Sequence, residues 1–313
     1  MSCANGRGSP MPGEQVIISG HRIELSSLDK VLFPHEGYTK KDLVDHYRAV
    51  AAVALPHYRD RPLSMHRFPD GIDGDGFFQK DAPDYFPHWI HRVSLPKAGG
   101  EVSYVVADDE ATLAYLANQA CITPHLFLSR RDRPHHPDRL IFDLDPPGDD
   151  FEPVRRAARL VRDALDEVEL PCYLQTTGSR GLHVVVPLDR SASFDAARSF
   201  ARDLAARLAQ GHAAELTIAQ RKSQRGGRVF LDYLRNAYGQ TTVAPYAVRA
   251  RAGAPVATPL EWSELGDRRL HPRRYTIRNI RRRLGRKEDP WTDIARHGHS
   301  ISAAAQRLAR LQD

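Results

Sequence analysis

The run Arg139-Leu-Ile-Phe-Asp143-Leu-Asp145-Pro146-Pro147 constrains this chain more than any other stretch. Leu140, Ile141, Phe142 and Leu144 read as a buried strand, stopped by two prolines that cannot continue a ladder. Side chains two apart on a strand share a face, so Asp143 and Asp145 project together, about 7 Å apart. Two such carboxylates repel and are costly to bury unpaired. A hard divalent cation held by oxygen ligands removes that conflict. The alternative is a strand end whose aspartates cap the helix that begins near Val154, and a bare Asp-x-Asp does not choose between the two.

At 313 residues the chain can bury a sizeable core, and its length allows one large domain or two. No apolar run approaches ~18 residues, so no membrane span is expected. The N-terminus lacks the charged-then-apolar pattern of a signal peptide, which points to the cytoplasm. Cys3, Cys121 and Cys172 form neither a disulfide framework nor a zinc spacing, and Cys172 reads as a core residue. The formal charge is +6 and arginine far outnumbers lysine, which suits a polyanionic partner. A GC-rich genome gives the same composition, so charge alone settles nothing.

Residues 1–13 read as disordered. Val16 to Leu25 alternates into a hairpin turning at Ser19-Gly20 or Gly20-His21, and Ser27 to Pro34 reads as a short turn or helical segment. Thr39-Lys-Lys-Asp42 resembles a capping box with a shorter acid, opening a helix to about Tyr58 with Leu43, Val44, Tyr47, Val50, Ala51 and Ala54 as its apolar stripe. Strands are expected at 63–68, 77–80 and 102–107, forming a second sheet with 16–25. Phe77 and Phe78 face opposite ways on a strand, so one can be core while the other stacks on a base; core packing of both is the alternative. Asp81 to Gly100 is expected to be a loop, and Asp109 to Gln119 a helix ending near Cys121-Ile-Thr-Pro-His125. From 139 to 233 strands and helices alternate, which indicates an α/β core of helices on a sheet. Thr241 to Arg251 reads as an extended edge segment, and 262–291 as a basic tail segment that includes Arg273-Arg274 and Arg281-Arg282-Arg283.

Three pieces then fall on adjoining strands: Asp143 and Asp145, the Gly178-Ser-Arg-Gly-Leu-His183 turn, and Asp232 at the end of its own strand. A third carboxylate supplies what an Asp pair lacks for holding two ions against a triphosphate. Gly178 and Gly181 would let backbone amides approach phosphate oxygens, with Ser179, Arg180 and His183 as further donors. The combination points to phosphoryl transfer on nucleotides.

Phe-Asp143-Leu-Asp145-Pro, Thr-Gly-Ser179-Arg-Gly-Leu-His183-Val and Val-Phe-Leu-Asp232-Tyr resemble the three signature motifs of archaeo-eukaryotic primases. The closer resemblance, over roughly residues 16–295, is to the polymerase domain of bacterial DNA ligase D, which serves non-homologous end joining. Asp29-Lys30-Val-Leu-Phe-Pro, Thr39-Lys40-Lys-Asp42, Phe77-Phe78-Gln-Lys80, Thr242 to Arg251 and Pro259-Leu-Glu-Trp262 support it. The resemblance implies an α/β (α+β) primase-polymerase fold: an RRM-like catalytic sheet with flanking helices, plus a second N-terminal β-sheet. It implies one such domain over 14–300, with a DNA-end-binding part about 14–125, a catalytic part about 126–300, and a C-terminal helix or tail at 301–313.

By the same resemblance Asp143, Asp145 and Asp232 would be catalytic and hold Mn²⁺ or Mg²⁺, manganese being the favoured activator. Ser179, Arg180, Gly181 and His183 would cradle the triphosphate, with Arg249 and His125 completing the nucleotide pocket. Lys30 and Lys40 would grip a downstream 5′-phosphate, in a pocket of ammonium groups and helix-terminal amides. Phe77 or Phe78 would stack on the template, Arg225 would sit near the templating base or primer end, and Arg67 would join the DNA contacts. Two positions depart from the pattern: Arg180 stands where many relatives carry lysine, and Arg235 where some carry a neutral polar residue. The expected partners are DNA with a 5′-phosphate at gaps or ends, NTP or dNTP, Ku, and a separate DNA ligase, in the cytoplasm at the nucleoid. The expected activity is template-directed addition of nucleotides, ribonucleotides preferred, at gaps or broken ends. A non-catalytic end-bridging protein and a metal-dependent phosphodiesterase are the alternatives.

Overall fold

A computed structural model of the chain describes residues 13–97 and 99–311, so all of the expected disordered segment except Gly13 lies outside the described residues. In chain order, β1 (Glu14–Ile18) and β2 (His21–Leu25) make a hairpin turned through Ser19 and Gly20, both in the left-handed region. β3 (Val31–Phe33) and β4 (Tyr38–Thr39) make a second small hairpin that runs into α1 (Lys40–Tyr58). β5 (Pro62–Arg67), β6 (Phe77–Gln79), β7 (Arg92–Lys97), β8 (Gly100–Val106), α2 (Glu110–Asn118) and β9 (Cys121–Phe127) follow. The second half holds β10 (Arg139–Asp145), α3 (Glu152–Glu167), β11 (Tyr173–Thr176), β12 (Leu182–Pro187), α4 (Phe194–Gly211), β13 (Leu216–Thr217) and β14 (Val229–Asp232). β15 (Thr241–Val243), β16 (Pro259–Leu260), α5 (Ile280–Leu284) and α6 (Ile301–Arg310) complete it.

Two large sheets organise these elements. One runs β15-β9-β5-β8-β7 with β6 paired to β5; the other runs β13-β14-β10-β12-β11-β16. The second is antiparallel except for the β13–β14 pair. The expected mixed α/β architecture with an N-terminal sheet is therefore present. Its membership differs from the sequence reading at three places. The β1–β2 hairpin is a sheet of its own, β3 replaces the expected turn or helix at 31–33, and β7 occupies part of the expected 81–100 loop. The N-terminal sheet also recruits β15 from the far end of the chain, so it crosses the expected division near 125.

Thr39 caps α1 as its sequence suggests: its hydroxyl accepts the Asp42 N–H, and the Asp42 carboxylate accepts the Thr39 N–H. The α1 stripe of Leu43, Val44, Tyr47, Val50, Ala51 and Ala54 is buried in a core shared with α2 and the N-terminal sheet. Burial of each larger apolar side chain contributes about 1.5–3 kcal/mol. On β10, alternation sorts the residues cleanly. Leu140, Phe142 and Leu144 enter the core under α3 and α4, while Ile141 packs on the opposite face with Leu128, Val185 and Trp291. Asp143 and Asp145 share the Ile141 face.

One buried ion pair ties the halves together. Arg61, between α1 and β5, donates from both terminal nitrogens to Asp138, just before β10, at 2.6 Å each. Burial would raise the Asp138 carboxyl, but Arg61, with Arg139 and Arg130 nearby, holds it well below the usual range. A depressed carboxyl contributes stability that is present at neutral pH and lost as pH falls through the acid range. Asp138→Ala should therefore lower unfolding stability by about 3–5 kcal/mol at neutral pH, since it strands a buried guanidinium. In urea titrations the gap between wild type and variant should narrow below about pH 4, where an unperturbed aspartate titrates. A pH-independent gap would contradict the assignment.

Candidate active site

β10 is paired on both sides, and its register builds the site. Asp143 faces His183 of β12 on one side and Asp232 of β14 on the other. Directly opposed residues in an antiparallel pair lie on one face, so the three aspartates and His183 crowd a single patch. The aspartates do not cap α3: its N-cap is Phe151, and the Glu152 N–H is satisfied by Asp150. The Asn236 side chain locks the strand by exchanging two hydrogen bonds with the Ile141 backbone, at 2.8 and 2.7 Å, continuing the ladder past the end of β14.

The carboxylates are largely withdrawn from water. Burial and then Asp143 push Asp145 up, and burial pushes Asp232 up. Burial also opposes ionisation of Asp143, yet His183, with Arg235 and Arg249, holds it below the usual range. Each carboxylate leans toward its own basic neighbour: Asp143 to His183 at 3.5 Å, Asp145 to Arg225 at 3.9 Å, Asp232 to Arg235 at 3.6 Å. Among the described residues no three His, Cys, Asp or Glu side chains converge into a metal cage as they stand. The donor chemistry nevertheless fits a hard divalent cation, since three oxygen-only ligands share one partly buried patch and raise one another's cost of ionisation.

Asp143 and Asp145 open into a cleft of about 590 Å³ that also takes in Ser179, Arg180, Gly181, His183, His125 and Arg249. The 177–181 turn is held from within. The Thr177 hydroxyl accepts the Ser179 and Gly181 N–H groups, and Arg249 donates to the Thr177 carbonyl at 2.9 Å. Those two amides are thus spent on the turn itself. Gly181 is required for another reason: a Cβ there would lie 2.1 Å from the Leu144 carbonyl oxygen. Burial, then Arg249, pushes the His125 imidazole well down, and its Nε2 has no partner within the protein.

The remaining candidates lie around this cleft. Neither Phe77 nor Phe78 is core; both are about half exposed because β6 pairs only with β5. Phe78 lies over His66 with ring centroids 4.1 Å apart and lines the cleft, while Arg67 sits over Phe77 and bonds Gln79. Arg225 is stacked on Phe230 at 3.9 Å and directed at Asp145. Lys30 and Lys40 are adjacent, the Lys40 N–H bonding the Lys30 carbonyl, with the Lys30 ammonium on Asp70. Burial, then Lys30, lowers the Lys40 ammonium. The first α1 amides bond Lys30, Leu28 and Thr39, and the buried Lys40 ammonium donates to the Asn118 carbonyl at 3.2 Å, so the exposed Lys30 ammonium, not the helix-terminal N–H groups, is what this corner offers an anion most directly. Sequence reasoning missed Ser64, whose buried Oγ lacks a partner and which pairs across the sheet with His125 in the same cleft. No motif marks it. The missed Lys80 and Arg251 line the cleft within segments the sequence does single out.

With this geometry in place, the comparisons with known proteins are specific. The family model described as the LigD primase-polymerase domain matches residues 39–291. The multifunctional non-homologous end joining DNA repair protein LigD of Mycobacterium tuberculosis is 37% identical over 266 residues, 82% of this chain and 35% of that protein. The bifunctional non-homologous end joining protein LigD of Bacillus subtilis is 29% identical over 294 residues, 92% of this chain and 47% of that protein. The chain thus spans about a third to a half of the length of these relatives. The solved polymerase domain of Mycobacterium tuberculosis ligase D in complex with DNA superposes with a TM-score of 0.83 at 34% identity, covering 88% of this chain and 99% of that one. The aspartate register, the glycine turn and the two-sheet architecture therefore have one explanation: the chain belongs to the LigD primase-polymerase domain family.

Proposed function

We propose that this chain is a template-directed nucleotidyltransferase that extends primer 3′ ends at DNA gaps or double-strand breaks. The observation that carries the reading is the β10 register, which sets Asp143 opposite Asp232 beside a cleft holding Ser179, Arg180 and His183. Asp143, Asp145 and Asp232 would hold the divalent cations, Mn²⁺ ahead of Mg²⁺. When bound, these ions stabilise charge on the attacking and leaving oxygens of an in-line displacement. Arg180 and Arg249 neutralise the triphosphate, and the Ser179 hydroxyl donates to it. His183 keeps Asp143 ionised and oriented. Arg225 and Arg235 offset the charge of Asp145 and Asp232.

The DNA contacts surround this centre. Phe78 offers a face for a base, and Lys30 with Lys40 meets a downstream 5′-phosphate. Ku and a separate ligase are the partners that the end-joining role entails, and the basic charge suits DNA at the nucleoid. No helix among the described residues is long and apolar enough to cross a membrane. Ribonucleotides are the preferred substrates, because the unpartnered Ser64 Oγ and His125 Nε2 on the cleft wall can bond a sugar hydroxyl.

Three outcomes test this. Asp143→Ala or Asp145→Ala should reduce primer extension on gapped DNA to background while DNA affinity, set by the basic surface, survives. Extension near the wild-type rate would remove the metal assignment, and loss of labelled DNA in place of growth would indicate phosphodiesterase chemistry. Ser64→Ala and His125→Leu should each shrink the ribo-over-deoxyribonucleotide ratio of kcat/KM by the worth of one polar contact, about 1–3 kcal/mol. Equal use of both sugars by the wild type would overturn the sugar reading. Finally, wild type should bind 5′-phosphorylated gapped DNA more tightly than its 5′-hydroxyl counterpart at fixed salt. A Lys30→Ala, Lys40→Ala double variant should bring that ratio of dissociation constants to one, and an unchanged ratio would displace the phosphate pocket.

A further inference from the structure

The basic segment after β16 is not used by the reading above, yet it begins at the catalytic cleft. Arg273 donates from Nε to the Ser179 carbonyl at 3.0 Å, on the outer side of the glycine turn. Arg251, which lines the cleft, is pushed down by burial and then by Arg273 and Arg180, so these three guanidiniums stand close enough to repel. The next residue, Arg274, opens a second concavity of about 480 Å³ with Arg282 and Arg286. That concavity holds six cations against two carboxylates. Both carboxylates are already engaged, Glu264 by Arg283 and Asp267 by Arg269. Among the described residues, Arg180, Arg251, Arg273, Arg274, Arg282 and Arg286 have no carboxylate within ion-pair distance.

Several arginines outside this segment are paired with carboxylates. Arg48 meets Glu110, Arg131 meets Asp60, Arg156 meets Glu215 and Arg207 meets Glu167, all at 2.8–3.0 Å. An unpaired run of like charge works against the compact state, and an anionic partner relieves it. The run is elongated, from the triphosphate side of the cleft to α5, so it matches a chain of phosphates better than one small anion. It offers no base-stacking platform. The exposed aromatic side chains Phe77, Phe78 and Tyr85 lie on β6 and the segment after it, and the Tyr275 ring in this concavity is covered by Arg283 at 4.6 Å.

We propose that the groove lined by Arg274, Arg282 and Arg286 binds the phosphate backbone of a nucleic-acid strand outside the catalytic cleft, without reading its sequence. The inference rests on the polymerase reading for its partner class and adds a second contact surface to it. Guanidinium forks suit phosphate oxygens, and each phosphate neutralised steepens the salt dependence of binding.

The test uses the full chain and a gapped, 5′-phosphorylated DNA with a single-stranded tail, followed by fluorescence anisotropy over a salt series. An Arg274→Gln, Arg282→Gln, Arg286→Gln triple variant should lose about tenfold or more in affinity at low salt. Its plot of log affinity against log salt should flatten by about two, from the loss of up to three phosphate contacts at ~0.7–0.9 each. The corresponding triple lysine variant should keep most of the wild-type slope, and its rate at saturating DNA should be unchanged. A control that removes equal charge, Arg156→Gln, Arg202→Gln, Arg207→Gln, should change the slope little. Equal losses in the two glutamine triples would make the groove an ordinary solvated face and overturn the proposal. Loss of pyrophosphate inhibition with intact DNA binding would overturn it in favour of a small-anion exit. A wild-type chain that neither binds nor extends DNA would bring down the polymerase reading, and this inference with it.

Discussion

Double-sided pairing of β10 is the constraint on which the site depends. A strand flanked on both sides cannot slip by one residue without exchanging its whole set of faces. Here such a slip would drive Leu140, Phe142 and Leu144 out of the core under α3 and α4 and push the aspartates into it. The hydrophobic alternation that anchors the strand therefore also fixes where the carboxylates point. The Asn236 clamp on Ile141 reinforces that register one residue pair beyond β14. The geometry of the aspartate patch is a by-product of core packing.

Crowding of the aspartates creates an electrostatic problem that the chain solves locally. Three carboxylates on one face cannot all ionise in low dielectric without compensation. His183, Arg225 and Arg235 each lie within 4 Å of one of them. Arg225 is further steadied by its stack on Phe230, the residue opposite Asp145 in the β10–β14 register. The protein thereby brings basic groups of its own to the patch, which offsets the cost of folding three carboxylates together.

Much of this was legible in the sequence. The β10 strand, its stopping prolines, the α1 capping box and the apolar stripes all announce themselves through local periodicity, which local physics enforces. What was not legible depends on pairing. The sequence reads Cys121-Ile-Thr-Pro-His125 only as the place where a helix ends, and the fold makes it β9. In the fold Pro124 lies just past the end of β15, where its carbonyl accepts the Ala244 N–H and its missing donor is not needed. Phe77 and Phe78 could not be sorted into core and surface, because that depends on whether β6 gains a second neighbour. Nor does the sequence show that the Thr177 hydroxyl takes the Ser179 and Gly181 N–H groups, which follows from the fold of the turn.

Ser64 shows most directly why pairing matters for function. Nothing in Pro-Leu-Ser64-Met distinguishes its hydroxyl from any other buried serine. Only when β5 and β9 align does it stand beside His125, and only when the two sheets meet does that pair face Asp143 across the cleft. Two buried polar atoms without partners are a standing cost that a ligand bearing a hydroxyl can relieve. The cleft accordingly has two walls of separate origin. The carboxylates come from the catalytic sheet, and the unpartnered hydroxyl and imidazole come from the N-terminal sheet. The wall built by β5 and β9 can then change its side chains while β10 keeps the register that its core packing requires.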